Sequence, residues 1–457
     1  MKKIYLIVTG MLLAASGIAQ VLPAERLDRG VVAVKIDSGV FVSWRLLGDE
    51  NAGGAFNLYR DGKRVNKIPL DGATCAVDEK GTLTSVYTVK NVAGKKEGKA
   101  SRGVKPWESP YLVVQLDRPA SAPGYLPNDC SVGDLDGDGA YEIVVKWEAR
   151  SRDNSQAGRT DPVLLDAYRL DGKRLWRIDL GENIRAGAHY TQFMVYDLDG
   201  DGRAEVACKT APGTRDGQGK WIALEGDDPL AVYRDEAGFV LDGPEYLTVF
   251  DGLTGGEVTT VPYYPPRGAR EEMQATWGDN RGNRVDRFLA CVAYLDGKRP
   301  SLVACRGYYT RAVLVAYDFD GKNLERRWVH DSGTGGTIKG TAHGQGNHGI
   351  AAGDVDGDGR DEIVYGGACI DDDGSLLYST GLGHGDAHHL SDLDPDRPGL
   401  EFFDVHETRP SPAGVELRDA GSGELLFGRP TTVDVGRGMA ADVDGRYRGF
   451  EFWSSAS

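Results

Sequence analysis

Asp134-Leu135-Asp136-Gly137-Asp138-Gly139, closing on Glu142, decides how the chain is read, because the chain repeats it. Asp197-Leu198-Asp199-Gly200-Asp201-Gly202 closes on Glu205, and Asp354-Val355-Asp356-Gly357-Asp358-Gly359 closes on Glu362. Looser copies stand at Asp392, Asp394 and Asp396 with Glu401, and at Asp442 and Asp444 with Glu451. Three carboxylates at alternate positions, with glycines that let the backbone wrap tightly, can surround one hard cation with oxygen; calcium suits such a loop. Each copy lies between apolar, strand-like runs: Phe193-Met194-Val195-Tyr196 precedes one, and Ile143-Val144-Val145, Val206-Ala207-Cys208 and Ile363-Val364-Tyr365 follow. An EF-hand is excluded, because there the bidentate Glu is the twelfth loop residue and helices flank it. Here the Glu is ninth, counting Asp134 as first. The repetition predicts an array of equivalent units.

From about residue 120 each loop and its strand are followed by a second hairpin. Leu164 to Arg169 turns through Asp171-Gly172 into Arg174 to Ile178, and Val313 to Tyr317 turns through Asp320-Gly321 into Leu324 to Trp328. Leu247 to Phe250 and Val415 to Leu417 begin two more. Four strands per repeating unit predict β-propeller blades over residues 117–457. Units begin near 134, 197, 294, 354, 392 and 442; the third keeps only Asp296 of its loop acids and is expected to be metal-free. The sixth reaches its loop just before Ser457, so the ring is expected to be incomplete at its C-terminal end unless the first strands of the domain finish it.

Residues 20–116 read differently. Val31 to Ile36, Val40 to Leu46, Phe56 to Arg60 and Val86 to Val89 alternate like half-buried strands, and Asp61-Gly62 signals a hairpin. A small fibronectin type III-like β-sandwich is expected, with Trp44 and Tyr59 as core aromatics. Residues 1–19 read as a secretory signal: Lys2 and Lys3, an apolar run from Ile4 to Ala15, then Gly17-Ile18-Ala19 for cleavage. No later run approaches a transmembrane helix, so a soluble, exported, monomeric protein with no membrane contact is expected. The formal charge of −16 argues against a nucleic-acid partner. Cys208 and Cys305 lie inside apolar strands, which favours free thiols over disulfides.

The repeat also serves as a ruler. Four residues beyond each loop Glu stand Lys146 and Lys209, and Arg306 is taken as their counterpart in the degenerate unit. Three cations ringing one mouth of an acidic protein would favour an anionic ligand. Six residues beyond the loop Glu stand Glu148 and Glu407. Of eight histidines, six fall between His343 and His406, amid Gly, Asp and Glu, which suits metal binding or acid–base chemistry. Two long polar excursions, Ala211 to Glu245 and Tyr263 to Phe288, carry Tyr264, Arg270 and Trp277 and could wall a groove. The residues alone therefore suggest an exported calcium-bearing propeller whose mixed Lys/Arg, His and carboxylate face binds or cleaves an acidic polysaccharide.

Arg26-Leu27-Asp28-Arg29-Gly30, Val42-Ser43-Trp44-Arg45-Leu46-Leu47, Asn57-Leu58-Tyr59-Arg60-Asp61-Gly62, Lys209-Thr210-Ala211-Pro212-Gly213-Thr214, Gly344-Gln345-Gly346-Asn347-His348 and Gly383-His384-Gly385-Asp386-Ala387 together resemble the family 11 polysaccharide lyases, the rhamnogalacturonan lyases. The likeness runs in order along nearly all of the chain. It implies an eight-bladed propeller with many calcium ions, and members that continue past Ser457. It also implies calcium-assisted β-elimination at the rhamnose–galacturonate bond of rhamnogalacturonan I. By the family motif His348, His384, Asp386 and Glu407 are implied as the active-site calcium and catalytic cluster, Arg437 as a galacturonate contact, and Asn128 and Glu148 as sugar contacts. Lys209 and Arg306 remain candidates for the proton-abstracting base on the repeat alone. Two other readings stay open: a non-catalytic FG-GAP-type propeller that binds acidic polysaccharide, and a hydrolase using Glu148 and Glu407.

Overall fold

Alternation of apolar and polar residues builds a nearly all-β chain. The computed structural model describes residues 26–48, 50, 54–121, 124–333 and 340–455; the expected signal at 1–19 lies outside the described residues. Helix among them is confined to the turn Arg270–Glu272 and the short helix Met273–Trp277.

The N-terminal part is sandwich-like. Val32–Ile36, Gly39–Ser43 and Cys75–Asp78 form one sheet, and Ala55–Arg60 pairs with Tyr87–Ala93 in the other. Val40, Val42, Trp44, Phe56, Leu58 and Tyr87 fill the space between them. The hairpin at Asp61-Gly62 forms, with φ of 49° and 76°, conformations that Asp and Gly tolerate at a tight turn. Tyr59 is a correction: its neighbours Phe56 and Leu58 point inward, while its own ring lies half-exposed beneath Lys90 with its hydroxyl on Glu97. Parity on the strand, rather than aromatic character, decides its face. Asp28 N donates to Gly139 O and Arg45 covers the Tyr141 ring, so the sandwich leans on the first acidic loop.

Five four-stranded antiparallel sheets follow, each wound in chain order. The first holds Leu126–Gly133, Glu142–Glu148, Leu164–Tyr168 and Arg174–Asp179. The second holds Phe193–Tyr196, Glu205–Thr210, Tyr246–Phe250 and Glu257–Pro262. The third holds Phe288–Ala293, Ser301–Arg306, Val313–Phe319 and Leu324–Asp331. The fourth holds Ala351–Gly353, Glu362–Tyr365, Ala368–Ile370 and Leu376–Ser379, and the fifth Gly385–Ser391, Glu401–His406, Ser411–Asp419 and Leu425–Thr431. Arg437–Ala441 and Glu451–Ser455 make a final hairpin.

Successive sheets pack face to face, because both faces of each second strand are apolar. Val206 and Cys208 pack toward the first sheet, whereas Ala207 packs toward the third. Val303 and Cys305 face the fourth sheet, and Phe402 lies in the core shared by the fourth and fifth. Each fully buried Val, Leu or Ile contributes roughly 1.5–3 kcal/mol, so these layers between sheets hold the array together. All six cysteines are free thiols.

The second strand of each sheet fixes the polarity of the array. It begins at the loop Glu and ends at the opposite edge. Glu401 to His406 spans roughly 17 Å at the usual rise of a strand, so acidic loops and strand ends occupy opposite faces.

Candidate functional site

At the loop face the wrap is made by the first Asp and the glycines. Gly137 N and Gly139 N donate to the Asp134 carboxylate at 2.8 Å each, with φ of 77° and 87° at the two glycines. Leu135 N donates to Glu142 Oε2 at 2.9 Å, turning that carboxylate into the loop. The same pattern joins Leu198 N to Glu205 and Val355 N to Glu362. Carboxylate oxygens of Asp134, Asp136 and Glu142, of Asp197, Asp199 and Glu205, and of Asp354, Asp356 and Glu362 converge within 4.8 Å in each set. Asp138 instead accepts from Ala140 N at its turn, and Asp201 and Asp358 meet Arg203 and Arg360. Burial pushes Glu142 and Glu362 up to about 7 and Glu205 to about 8. Glu362 Oε1 and Glu401 Oε1 are buried without a hydrogen-bond partner, an arrangement a cation satisfies. In the Asp392 loop Glu401 accepts from Leu393 N and Asp394 N, while Asp396 pairs with Arg448. In the last loop Glu451 accepts from Val443 N, but Asp444 is paired with Arg446 at 2.5 Å, and Asp442 has no third Asp beside it.

The opposite face gathers the other chemistry. His348 precedes Ala351–Gly353, His384 precedes Gly385–Ser391, and Glu407 follows Glu401–His406 with its N–H donating to His384 O at 3.1 Å. Glu407 Oε1 lies 3.5 Å from His348 Nε2 and 3.7 Å from His384 Nε2. His384 Nδ1 lies 2.5 Å from Gly346 O. A carbonyl only accepts, so Nδ1 carries the proton and Nε2 turns a lone pair toward the carboxylate. That Nε2 is buried and has no hydrogen-bond partner. A divalent cation held by these two imidazoles and the Glu407 carboxylate would satisfy the orphaned His384 Nε2. The imidazoles of His348 and then His384 beside it hold the Glu407 carboxyl far below its usual range. Asp386 is raised by burial and meets Arg437 at 3.3 Å.

Three residues that sequence reasoning passed over complete the cluster. Tyr308 Oη lies 3.1 Å from His348 Nδ1 and 3.2 Å from His189 Nδ1. Tyr309 Oη lies 3.2 Å from His348 Nε2, and its ring centroid is 4.1 Å from that of His384. Burial pushes His189 down to about 3. His189 stands far from the other histidines in sequence, and the tyrosines follow a degenerate unit; the ruler carried beyond Arg306 would have reached them. Of the clustered histidines, His388 stacks on Phe402, and His406 is fully buried against Glu416 at 3.0 Å.

The expected ring of cations is corrected. Lys146 is fully buried, with Asp129 at 2.5 Å and Glu148 at 3.5 Å. Lys209 and Arg306 both reach Glu245 Oε1, at 3.0 and 2.7 Å, where Arg267 also arrives at 2.6 Å. Arg306 is not the counterpart of Lys209. Ser301 occupies the loop-Glu register opposite Ala293, so Cys305 holds the fourth place beyond it. The degenerate loop is one residue shorter, which turns Arg306 back toward the second sheet. Asn128 Nδ2 donates to Glu148 Oε2 at 3.2 Å, and Gly187 N donates to Oε1 at 3.2 Å, two residues before His189. Trp277 of the second excursion is core, its Nε1 on Arg267 O at 2.9 Å, rather than a groove wall. Replacing Glu245 with Gln strips one buried charge from three cations; urea unfolding should show a loss of roughly 3–5 kcal/mol.

Stacked β-sheets with acidic turns at one face and a His–Glu–Asp–Arg cluster at the other define an enzyme that handles an acidic polymer. The family model for the C-terminal domain of rhamnogalacturonan lyase family 11 matches residues 111–457, and that for the β-sheet domain of rhamnogalacturonan I lyases matches residues 22–107. The chain belongs to this family of polysaccharide lyases and is a lyase acting on rhamnogalacturonan. It is 53% identical to the rhamnogalacturonan endolyase YesW of Bacillus subtilis (strain 168) over 441 residues, 95% of this chain and 69% of that protein. It is 55% identical to the exolyase YesX of the same organism over 94% of this chain and 70% of YesX. The solved rhamnogalacturonan lyase PL11 of Bacillus licheniformis superposes with a TM-score of 0.89 at 55% identity, covering 96% of this chain and 74% of that one.

Proposed function

We propose that the successive sheets are blades of a β-propeller that follows a fibronectin-like domain, and that elimination takes place at the His348–His384–Glu407 cluster. The carrying observation is the convergence of two imidazole Nε2 atoms on one carboxylate that sits at the end of a blade strand. His348, His384, Glu407 and Asp386 would hold the catalytic calcium. Bound there, the ion would neutralise the uronate carboxylate and favour loss of the adjacent proton. Arg437, 81% exposed beside Asp386, offers the sugar acid a second positive contact. Asn128 and Glu148 line the path of the chain on the same face. A base of the protein takes the proton at carbon 5, its electron pair becomes the double bond between carbons 4 and 5, and the bond from carbon 4 to the glycosidic oxygen breaks as that oxygen takes up a proton, so the product carries an unsaturated uronate and no water is consumed. Lys209 and Arg306, both buried on Glu245, are charged floor rather than base.

The loops at Asp134, Asp197, Asp354 and Asp392 bind calcium structurally in this reading. The substrate is rhamnogalacturonan I, met outside the cell by an exported monomer. Among the described residues no helix is long and apolar enough to cross a membrane. Incubation of the calcium-loaded protein with rhamnogalacturonan should raise ultraviolet absorbance from the unsaturated uronate. New reducing ends without that absorbance would mean hydrolysis and overturn the reading.

A further inference from the structure

We propose that Arg284 reads the galacturonate carboxylate at this centre; the inference rests on the centre assigned above. Arg284 is half-buried, with its Cζ 4.1 Å from the centroid of the Tyr309 ring. Tyr309 is the ring that touches His384 and whose hydroxyl meets His348. One tyrosine ring therefore separates the guanidinium from the cluster. Among the described residues Arg284 has no hydrogen-bond acceptor and no carboxylate within ion-pair distance.

The neighbouring cations are taken. Arg287 reaches Asp153 at 3.6 Å, Arg267 and Arg306 share Glu245, and Arg437 meets Asp386. An arginine stacked on an aromatic ring is often no more than a cation–π contact. What exceeds that here is a half-buried guanidinium left without a counter-ion in a chain of formal charge −16. Its five donors in a fixed fork match a carboxylate bidentately. The segment that carries it is held rigidly. Val285 is fully buried, Arg287 Nη2 donates to Asn283 Oδ1 at 2.6 Å, and Asn154 Nδ2 donates to Asp286 O at 2.7 Å. Arg284 is thus a specificity residue: it selects a uronate over a neutral or esterified sugar.

The test is calorimetric binding of the unsaturated galacturonate–rhamnose disaccharide and of its methyl ester to the calcium-loaded protein, Arg284→Ala and Arg284→Lys. The unaltered protein should bind the acid about 10–100-fold tighter than the ester, the range a charge-assisted hydrogen bond gives. Arg284→Ala should lose most of that preference, keeping only what the calcium and Arg437 supply, with ester affinity unchanged, and Arg284→Lys should fall between. Equal affinities in the unaltered protein, full discrimination in Arg284→Ala, or an equal loss for both ligands would each overturn the proposal. Loss of discrimination in Arg284→Ala together with surviving turnover in Glu407→Gln would remove the assigned centre and leave the carboxylate clamp standing. The reverse pattern would remove the clamp alone.

Discussion

Glu407→Gln should lower kcat/KM on rhamnogalacturonan by ~10²–10³-fold or more, the cost of removing one preorganised charge from an active site. The change keeps the shape of the side chain and its place after Glu401–His406, so the melting temperature should barely move. Its effect is electrostatic. Glu407 is the carboxylate on which His348 and His384 converge, at 3.5 and 3.7 Å. An amide there presents no charge to a cation and can turn its NH₂ toward the imidazole lone pairs. Calcium affinity at this one site should fall in parallel, measured by titration after the loop sites are filled. His348→Ala should act in the same direction, with Tyr308 left to pair with His189 alone. Turnover of Glu407→Gln within threefold of the unaltered protein would show that elimination happens elsewhere.

Chelation should lower the melting temperature by about 10–20 °C, by an amount that grows with pH. Each loop site filled at about a hundred times its Kd contributes about 2.7 kcal/mol, and each kcal/mol is worth a degree or more in a chain this long. Without a cation, burial holds Glu142 and Glu362 at about 7 and Glu205 at about 8, above their ordinary value of 4.5. A carboxyl raised in the folded state keeps its proton there. It contributes stability that is fully present below pH 4.5 and is lost as pH rises through 7 to 8. The chelated protein should therefore melt progressively lower from pH 5 to 8. The calcium-loaded protein should not, because the ion replaces the proton, and the gap between the two curves should widen with pH. Scanning calorimetry at several pH values checks this; a chelated protein whose melting temperature stays flat or rises over that window would contradict it.

The acidic loops were legible because their ligands are local. Asp134 and Glu142 are eight positions apart in sequence, and one turn with two left-handed glycines brings them together. The same holds for the hairpins, whose turn residues fix their register. Tyr59 and Arg306 follow strand parity, and Trp277, at the end of a short helix, follows what packs behind it. Which face a side chain takes depends on strand parity and on what packs behind it, and a loop shorter by one residue reverses the parity. The catalytic candidates fell between these cases: His348 and His384 came from motif resemblance and Glu407 from resemblance and the repeat together, Tyr308 and Tyr309 lay within reach of the same repeat, and His189 left no local signal.

The sequence by itself determined the family, the all-β character, the repeated acidic turns and the residues able to hold a cation, since each is written within a few neighbouring positions. Only the tertiary structure decided which charges remain available. Lys146 is spent on exposed Asp129 and buried Glu148, and Lys209 and Arg306 on buried Glu245, while Arg284 reaches the face with no carboxylate among the described residues. Such pairing joins residues far apart in sequence, up to 61 positions for Arg306 and Glu245. Burial then makes the pairing obligatory, because an unpaired charge between packed sheets costs several kcal/mol.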